Sequence, residues 1–173
     1  RVLFRSRAAA SGVSRETFRM RRGFRQRAPA RFFMHLTDYL LCGRYQLGLR
    51  HPLIMGIVNL TDDSFSGDGL RGNPARAIEQ GWRLVEEGAH ILDLGAESSR
   101  PGSGPVSAAQ ETERLLPVLD GLRSCGVPLS VDTAKTEVMA AVLAAGADMV
   151  NDIGALGDEG ALDVLARSKA AEI

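Results

Sequence analysis

Gly88-Ala89-His90-Ile91-Leu92-Asp93-Leu94-Gly95, at positions 88–95, sets the pattern for most of the chain. A glycine closes one helical stretch, and a short apolar run then carries a carboxylate near its end. The run is too short for a helix and has glycine on both sides, so it reads as a buried strand. The same approach recurs at Gly126-Val127-Pro128 and Gly146-Ala147-Asp148, each ahead of another short apolar run. This is a weak internal repeat of one supersecondary unit.

Working outward, a first strand is expected over 53–58, ending at Asn59. Asn73 is placed to cap the next helix and Pro74 to fill its first turn. Ile78, Trp82 and Val85 form a helical stripe, with Trp82 expected in the core, and Gly88 stops the helix. A second helix over 108–123 presents Leu115, Leu119 and Leu122 on one face. A third strand over 128–131 is closed by Asp132 and Thr133, and a helix follows over 135–145. The fourth strand, Met149 and Val150, leads into Asn151 and Asp152, with a last helix starting near Glu159. Four βα units in succession imply a parallel sheet. The periodicity suits either a doubly wound sheet or part of a (β/α)₈ barrel. Ahead of them, residues 42–49 alternate apolar and polar side chains and read as a hairpin capping one end of the sheet.

The chain has 173 residues and is 45% hydrophobic, enough for one domain with a substantial core. Its formal charge is zero, yet residues 1–31 hold ten arginines against one acid, Glu16, so the remainder carries −9. That step marks a boundary. The basic leader, residues 1–33, fits a nucleic-acid or acidic-surface binder, an organelle transit peptide, or upstream sequence before a natural start at Met34. It is set aside as disordered or non-native, and no nucleic-acid partner is expected. Cys42 and Cys125 are too few for a disulfide framework or a zinc site and read as small buried apolar residues. No apolar run reaches membrane-spanning length, so a cytoplasmic setting is expected. His35, His51 and His90 are read as structural or exposed.

Each strand gives way to an amide or carboxylate: Asn59, Asp93, Asp132 and Asn151. In parallel α/β folds ligands bind at that edge, where loops and helix N-termini converge. Singly, such residues only cap the next helix. Four together, beside two Gly- and Ser-rich loops, favour a polar site. The first loop, 59–69, is dense in oxygen ligands and suits Mg²⁺ shared with substrate phosphates, or an ordinary turn. The second, 95–103, sets hydroxyls beside Arg100, stiffened by Pro101, and suits an anion.

These loops carry a family resemblance. MGIVNLTDDSFSGDG at 55–69 and DLGAESSRPGS at 93–103 resemble the first two signatures of dihydropteroate synthases. SVDTAKTEV at 130–138 and GADMVNDI at 146–153 are similar to the next two strand ends, and CGRYQLGLRHP to the family's N-terminal hairpin. The resemblance covers essentially all of 34–170. It implies a (β/α)₈ barrel of which the first four βα units are present over 53–173, with the hairpin region at 34–52.

The implied activity is transfer of an alkyl group in folate biosynthesis, joining 6-hydroxymethyl-7,8-dihydropterin pyrophosphate to p-aminobenzoate. By the same resemblance Asn59 ligates Mg²⁺, with Asp63 a second candidate, and Asp132 and Asn151 hydrogen-bond the pterin. Ser99 and Arg100 contact substrate, while Phe65 and Pro101 wall the p-aminobenzoate subsite; a homodimer is implied for the full-length protein. Asp62 stands where the family usually has proline, Ser66-Gly67-Asp68-Gly69 shifts a carboxylate by one position, and Ser99 replaces a usual threonine. Later strands of the family supply a lysine and an Arg-x-His clamp, so the chain as given is expected to be inactive alone. A pterin-binding methyltransferase domain fits the second loop less well, and a non-catalytic pterin-binding paralogue stays open.

Overall fold

The computed structural model describes residues 2–3, 38–60, 73–97 and 106–173. In chain order the elements are β1 (Val2–Leu3), β2 (Tyr39–Cys42), β3 (Tyr45–Gly48), β4 (Ile54–Asn59), α1 (Pro74–Glu86), β5 (Ile91–Gly95) and α2 (Ala108–Leu122). These are followed by β6 (Leu129–Asp132), α3 (Thr136–Ala144), β7 (Met149–Asn151), α4 (Ala161–Ala166) and β8 (Ala171–Glu172). Strands β4 to β8 pair in parallel and in sequence order. Of the leader, Val2–Leu3 lies antiparallel against Ile54 and Met55, a pairing its composition did not anticipate.

The expected four strands are present, and the structure adds a fifth. Met149 aligns with Ala171 and Val150 with Glu172, so β8 is a fifth parallel strand beyond the last helix, where no strand was expected. Val58, Leu92, Leu94, Leu129 and Val131 pack under α1, α2 and α3 in one core, while Val150 meets α3 and α4 in another. A doubly wound sheet would place helices on both faces. Consecutive strands with every described helix on one side match the arrangement of a barrel wall.

The opposite face divides along its length. Near the strand starts, Met55, Ile91 and Met149 meet Cys42 and the hairpin. Near the strand ends the face turns polar. The hairpin closes the apolar end as expected. Gly43, with φ +53, turns it so tightly that a Cβ there would lie 2.3 Å from Asp148 Oδ1. Arg44 then donates from Nε to Asp148 Oδ1 (3.1 Å) and from Nη2 to Oδ2 (3.1 Å), a two-pronged pair on a carboxylate that is 2% exposed.

Local signals account for the helix ends. Asn73 Oδ1 accepts from the Ala75 N–H with Pro74 behind it, and Ser107 and Gln110 form a reciprocal capping box on α2. Leu115, Leu119 and Leu122 are buried as expected. Trp82 is not: it is 37% exposed, and the buried line of α1 runs instead through Ala77 and Gly81. The cause is glycine. A Cβ on Gly81 would lie 2.7 Å from Leu122 Cδ2, and one on Gly121 would lie 2.3 Å from Ile78 Cδ1. The two helices meet through residues without side chains, which turns the bulky indole outward. Cys42 and Cys125 are free and buried, as read. His90 is exposed and accepts from the Ile54 N–H through Nδ1 (3.1 Å), a structural bond at the strand starts.

Candidate functional site

Parallel register places Asn59 beside Gly95, Gly95 beside Asp132, and Asp132 beside Asn151. Residues paired this way share a face, so three expected site residues stand in one row across the ends of β4, β6 and β7. Between Asn59 and Asp132, β5 contributes only a hydrogen atom. A Cβ on Gly95 would lie 3.7 Å from Asp132 Oδ2 and 3.8 Å from Asn59 Oδ1, so the glycine keeps the space between these two oxygens open.

Asp93 lies two residues before Gly95 and therefore on the same face, one row deeper. It is 5% exposed, and its Oδ2 accepts a 3.0 Å bond from Asn151 Nδ2. Asp93 is one of the four strand-end residues expected to form the polar site, but no individual role was expected of it. The usable signal was the period of two, which carries the functional face of a strand back from its last residue. Beside Asp93 in register is Ser130, fully buried. Asp93 Oδ1 and Ser130 Oγ both lack a hydrogen-bond partner. Such atoms carry a desolvation cost unless something arrives to bind them.

Acidity is concentrated here. Burial, then the nearby charges of Asp93, Glu111, Asp152 and Glu97, raise the Asp132 carboxyl to about 6. Asp132 is thus poised to change protonation, or to meet positive charge in a ligand, near neutral pH. Asp152 is occupied locally, accepting from the Gly154 and Leu156 N–H groups at 2.7 Å each.

An ion cluster backs this row. Lys135 Nζ donates to Glu97 Oε2 and, at 2.7 Å, to Oε2 of Glu111, which is fully buried in the first turn of α2. Glu97 Oε1 accepts from the Val106 N–H at 3.4 Å. None of these roles was anticipated, since residues 24 and 38 positions apart carry no shared sequence signal. Asp63, Phe65, Ser99, Arg100 and Pro101 lie outside the described residues, as do Asp62 and His35.

As a metal ligand Asn59 offers one hard amide oxygen facing the open space at Gly95. Among the described residues no three His, Cys, Asp or Glu side chains group to hold a metal by themselves. One protein oxygen is compatible with Mg²⁺, which keeps several waters and takes further ligands from substrate phosphates. Among the described residues no helix is long and apolar enough to cross a membrane.

A parallel α/β sheet whose strand ends bring together buried Asp93, half-buried Asp132 and Asn151 and exposed Asn59 has the layout of small-molecule sites in barrel folds. A family model described as pterin binding enzyme matches residues 55–173, and the chain belongs to that family. It is 49% identical over 127 residues to a dihydropteroate synthase of Neisseria meningitidis serogroup C, a match covering 72% of this chain and 45% of that protein. To the dihydropteroate synthase of Escherichia coli K12 it is 40% identical, over 70% of this chain and 44% of that one.

Among solved structures, Xanthomonas albilineans dihydropteroate synthase with 4-aminobenzoic acid is similar at a TM-score of 0.68 and 47% identity. That match covers 76% of this chain and 49% of the other. The Burkholderia cenocepacia enzyme complexed with 7,8-dihydropteroate gives 0.65 and 41%, over 78% and 45%. The chain thus spans under half the length of the relatives it matches.

Proposed function

We propose that this chain supplies the pterin-facing strands of a dihydropteroate synthase, which joins 6-hydroxymethyl-7,8-dihydropterin pyrophosphate to p-aminobenzoate. The observation that carries the reading is the row Asn59, Gly95, Asp132 and Asn151 with Asp93 beneath it. This row is rich in hydrogen-bond acceptors and lies at the strand ends of a pterin-binding family member. Similar structures that hold 4-aminobenzoic acid or 7,8-dihydropteroate support the choice of substrates.

In this reaction the arylamine nitrogen forms a bond to the pterin methylene, the carbon–oxygen bond to pyrophosphate breaks, and the amine loses a proton. Asp132 and Asn151 hold the ring. A carboxylate fixed beside it also stabilises the positive charge that grows as pyrophosphate leaves, with no reorganisation needed at that moment. Asn59 is the residue that would offer an oxygen to Mg²⁺, whose contribution is to neutralise the departing pyrophosphate; Asp63 is a second candidate. Arg100 and Ser99 would contact substrate, and Phe65 and Pro101 would wall the p-aminobenzoate subsite. The full-length protein would act as a cytoplasmic homodimer.

The test is pteroate synthesis, with titration of pterin pyrophosphate, by the full-length protein carrying this segment. Asn151→Ala is expected to weaken pterin binding by about 10- to 100-fold. Asp132→Asn is expected to lower kcat by about 100-fold or more. Pterin binding without synthesis by the wild type would favour a non-catalytic pterin binder, and no binding at all would remove the reading.

A further inference from the structure

Asp93 and Asn151 sit on strands two apart, and their bond spans β6 on the interior face. The residue of β6 level with Asp93 is Ser130, whose small side chain leaves room for the crossing. A side-chain amide has one donating and one accepting end, whereas a carboxylate only accepts. The 3.0 Å contact with Asp93 Oδ2 therefore fixes which way round Asn151 lies: Nδ2 toward Asp93, and Oδ1 away from it.

We propose that Asp93 is a positioning residue that locks the Asn151 amide with its carbonyl available to ligand. The pocket floor then selects the N–H-bearing edge of a pterin ring. Asn151 Oδ1, the Asp132 carboxylate and the unpartnered, buried Asp93 Oδ1 together form an array of acceptors. Ser130 Oγ, buried and unpartnered beside them, can accept as well. A ligand edge made of amino and ring N–H groups satisfies such an array, and one presenting carbonyl oxygens leaves it unpaired. Sites built this way reject ligands that lack the matching donors far more strongly than apolar pockets reject shape variants. The inference rests on the synthase reading and deepens it, since it assigns the origin of ring selectivity to a residue one row below the expected contacts.

The test uses the full-length protein carrying this segment, with steady-state kinetics for both substrates. In Asp93→Asn two amides face each other and Asn151 is free to turn over. The KM for pterin pyrophosphate should rise by about tenfold or more, while that for p-aminobenzoate stays within about twofold. Exchanging the pair, Asp93→Asn with Asn151→Asp, restores a donor facing an acceptor and keeps an acceptor toward the ligand. It should bring the pterin KM back to within about threefold of wild type.

An unchanged pterin KM in Asp93→Asn, an equal rise in both KM values, or an exchange no better than the single variant would each overturn the proposal. If Asp93→Asn does not fold, Ser130→Val, which crowds the crossing without altering charge, must produce the same selective rise. Wild-type protein that makes no pteroate overturns the synthase reading and this one with it. Failure of the variants alongside an active wild type overturns this one alone.

Discussion

Replacing Lys135 by methionine keeps most of the side chain's length and removes its charge, and the surroundings set the cost. Burial works to lower the Lys135 pKa, but the hydrogen bonds it donates to Glu111 and Glu97, with their charges, outweigh it, and the net direction is upward. Without the ammonium, Glu111 is a fully buried carboxylate whose second oxygen, Oε1, already has no partner. Removing one member of a buried pair costs about 3–5 kcal/mol. Because Lys135 and Glu97 side chains keep 27% and 36% of their exposure, the lower end, about 3 kcal/mol, is expected. With a urea m-value of about 2 kcal/mol/M, the midpoint followed by far-UV circular dichroism should fall by about 1.5 M. Adding Glu111→Gln to Lys135→Met should recover most of the loss, because no buried charge is then left alone.

The pH direction follows from the raised pKa. The stabilisation from Lys135 is complete below its unfolded value, about 10.4, and is lost as pH climbs through the higher folded value. A Lys135→Met midpoint within about 0.3 M of wild type, or no recovery in the double variant, would refute the assignment of this cluster as a buried ion network.

Two further outcomes follow from packing and charge. Gly121→Ala drives a Cβ against Ile78, a β-branched residue stiff at χ1, so overpacking of about 1–3 kcal/mol should exceed the helix-propensity gain of about 1 kcal/mol. Ile78→Val removes Cδ1 but leaves a Cγ atom that would lie 2.7 Å from the new Cβ, so it should recover only part of the lost midpoint. Asp132 holds a proton in the folded state, up to about pH 6, that the unfolded chain releases near pH 4. Its contribution to stability therefore falls as pH rises through that window. Because Asp132 stays partly open to solvent, which screens the effect, Asp132→Asn should be more stable than wild type by only about 1 kcal/mol at pH 7.5, with the gap closing by pH 4. Equal urea midpoints across that range would contradict the burial argument.

The strands β4 to β7 were legible because each is a short apolar run that ends in or leads to a polar residue, with β5, β6 and β7 also entered through a glycine, a purely local signal. The strand β8 was not, since Ala171 and Glu172 have little intrinsic strand preference and are extended because β7 offers them a partner. Trp82 was misplaced because a stripe of large apolar residues ignores glycine, and here Gly81 and Gly121 set the helix contact. Asn59, Asp132 and Asn151 were readable as strand ends, and the structure brings them into one row. Asp93 belonged to the same face one step back. Glu111 reads as an ordinary acid in the first turn of a helix, favourable there by charge alone, and only the fold brings Lys135 to it.

The hairpin has a consequence for the order of events in folding. Its Gly43 N–H donates to Lys169 O at 2.9 Å, and Arg44 grips Asp148, more than 100 positions along the chain. Neither partner exists on the ribosome until most of the described parallel strands have been made. Contacts of such sequence separation pay their loop-closure entropy before they gain anything. The hairpin, synthesised ahead of the described βα units, is therefore expected to seat only after strands β4 to β7 are in place. Until then the apolar ends of β4 and β5 stay open to whatever the nascent chain meets first.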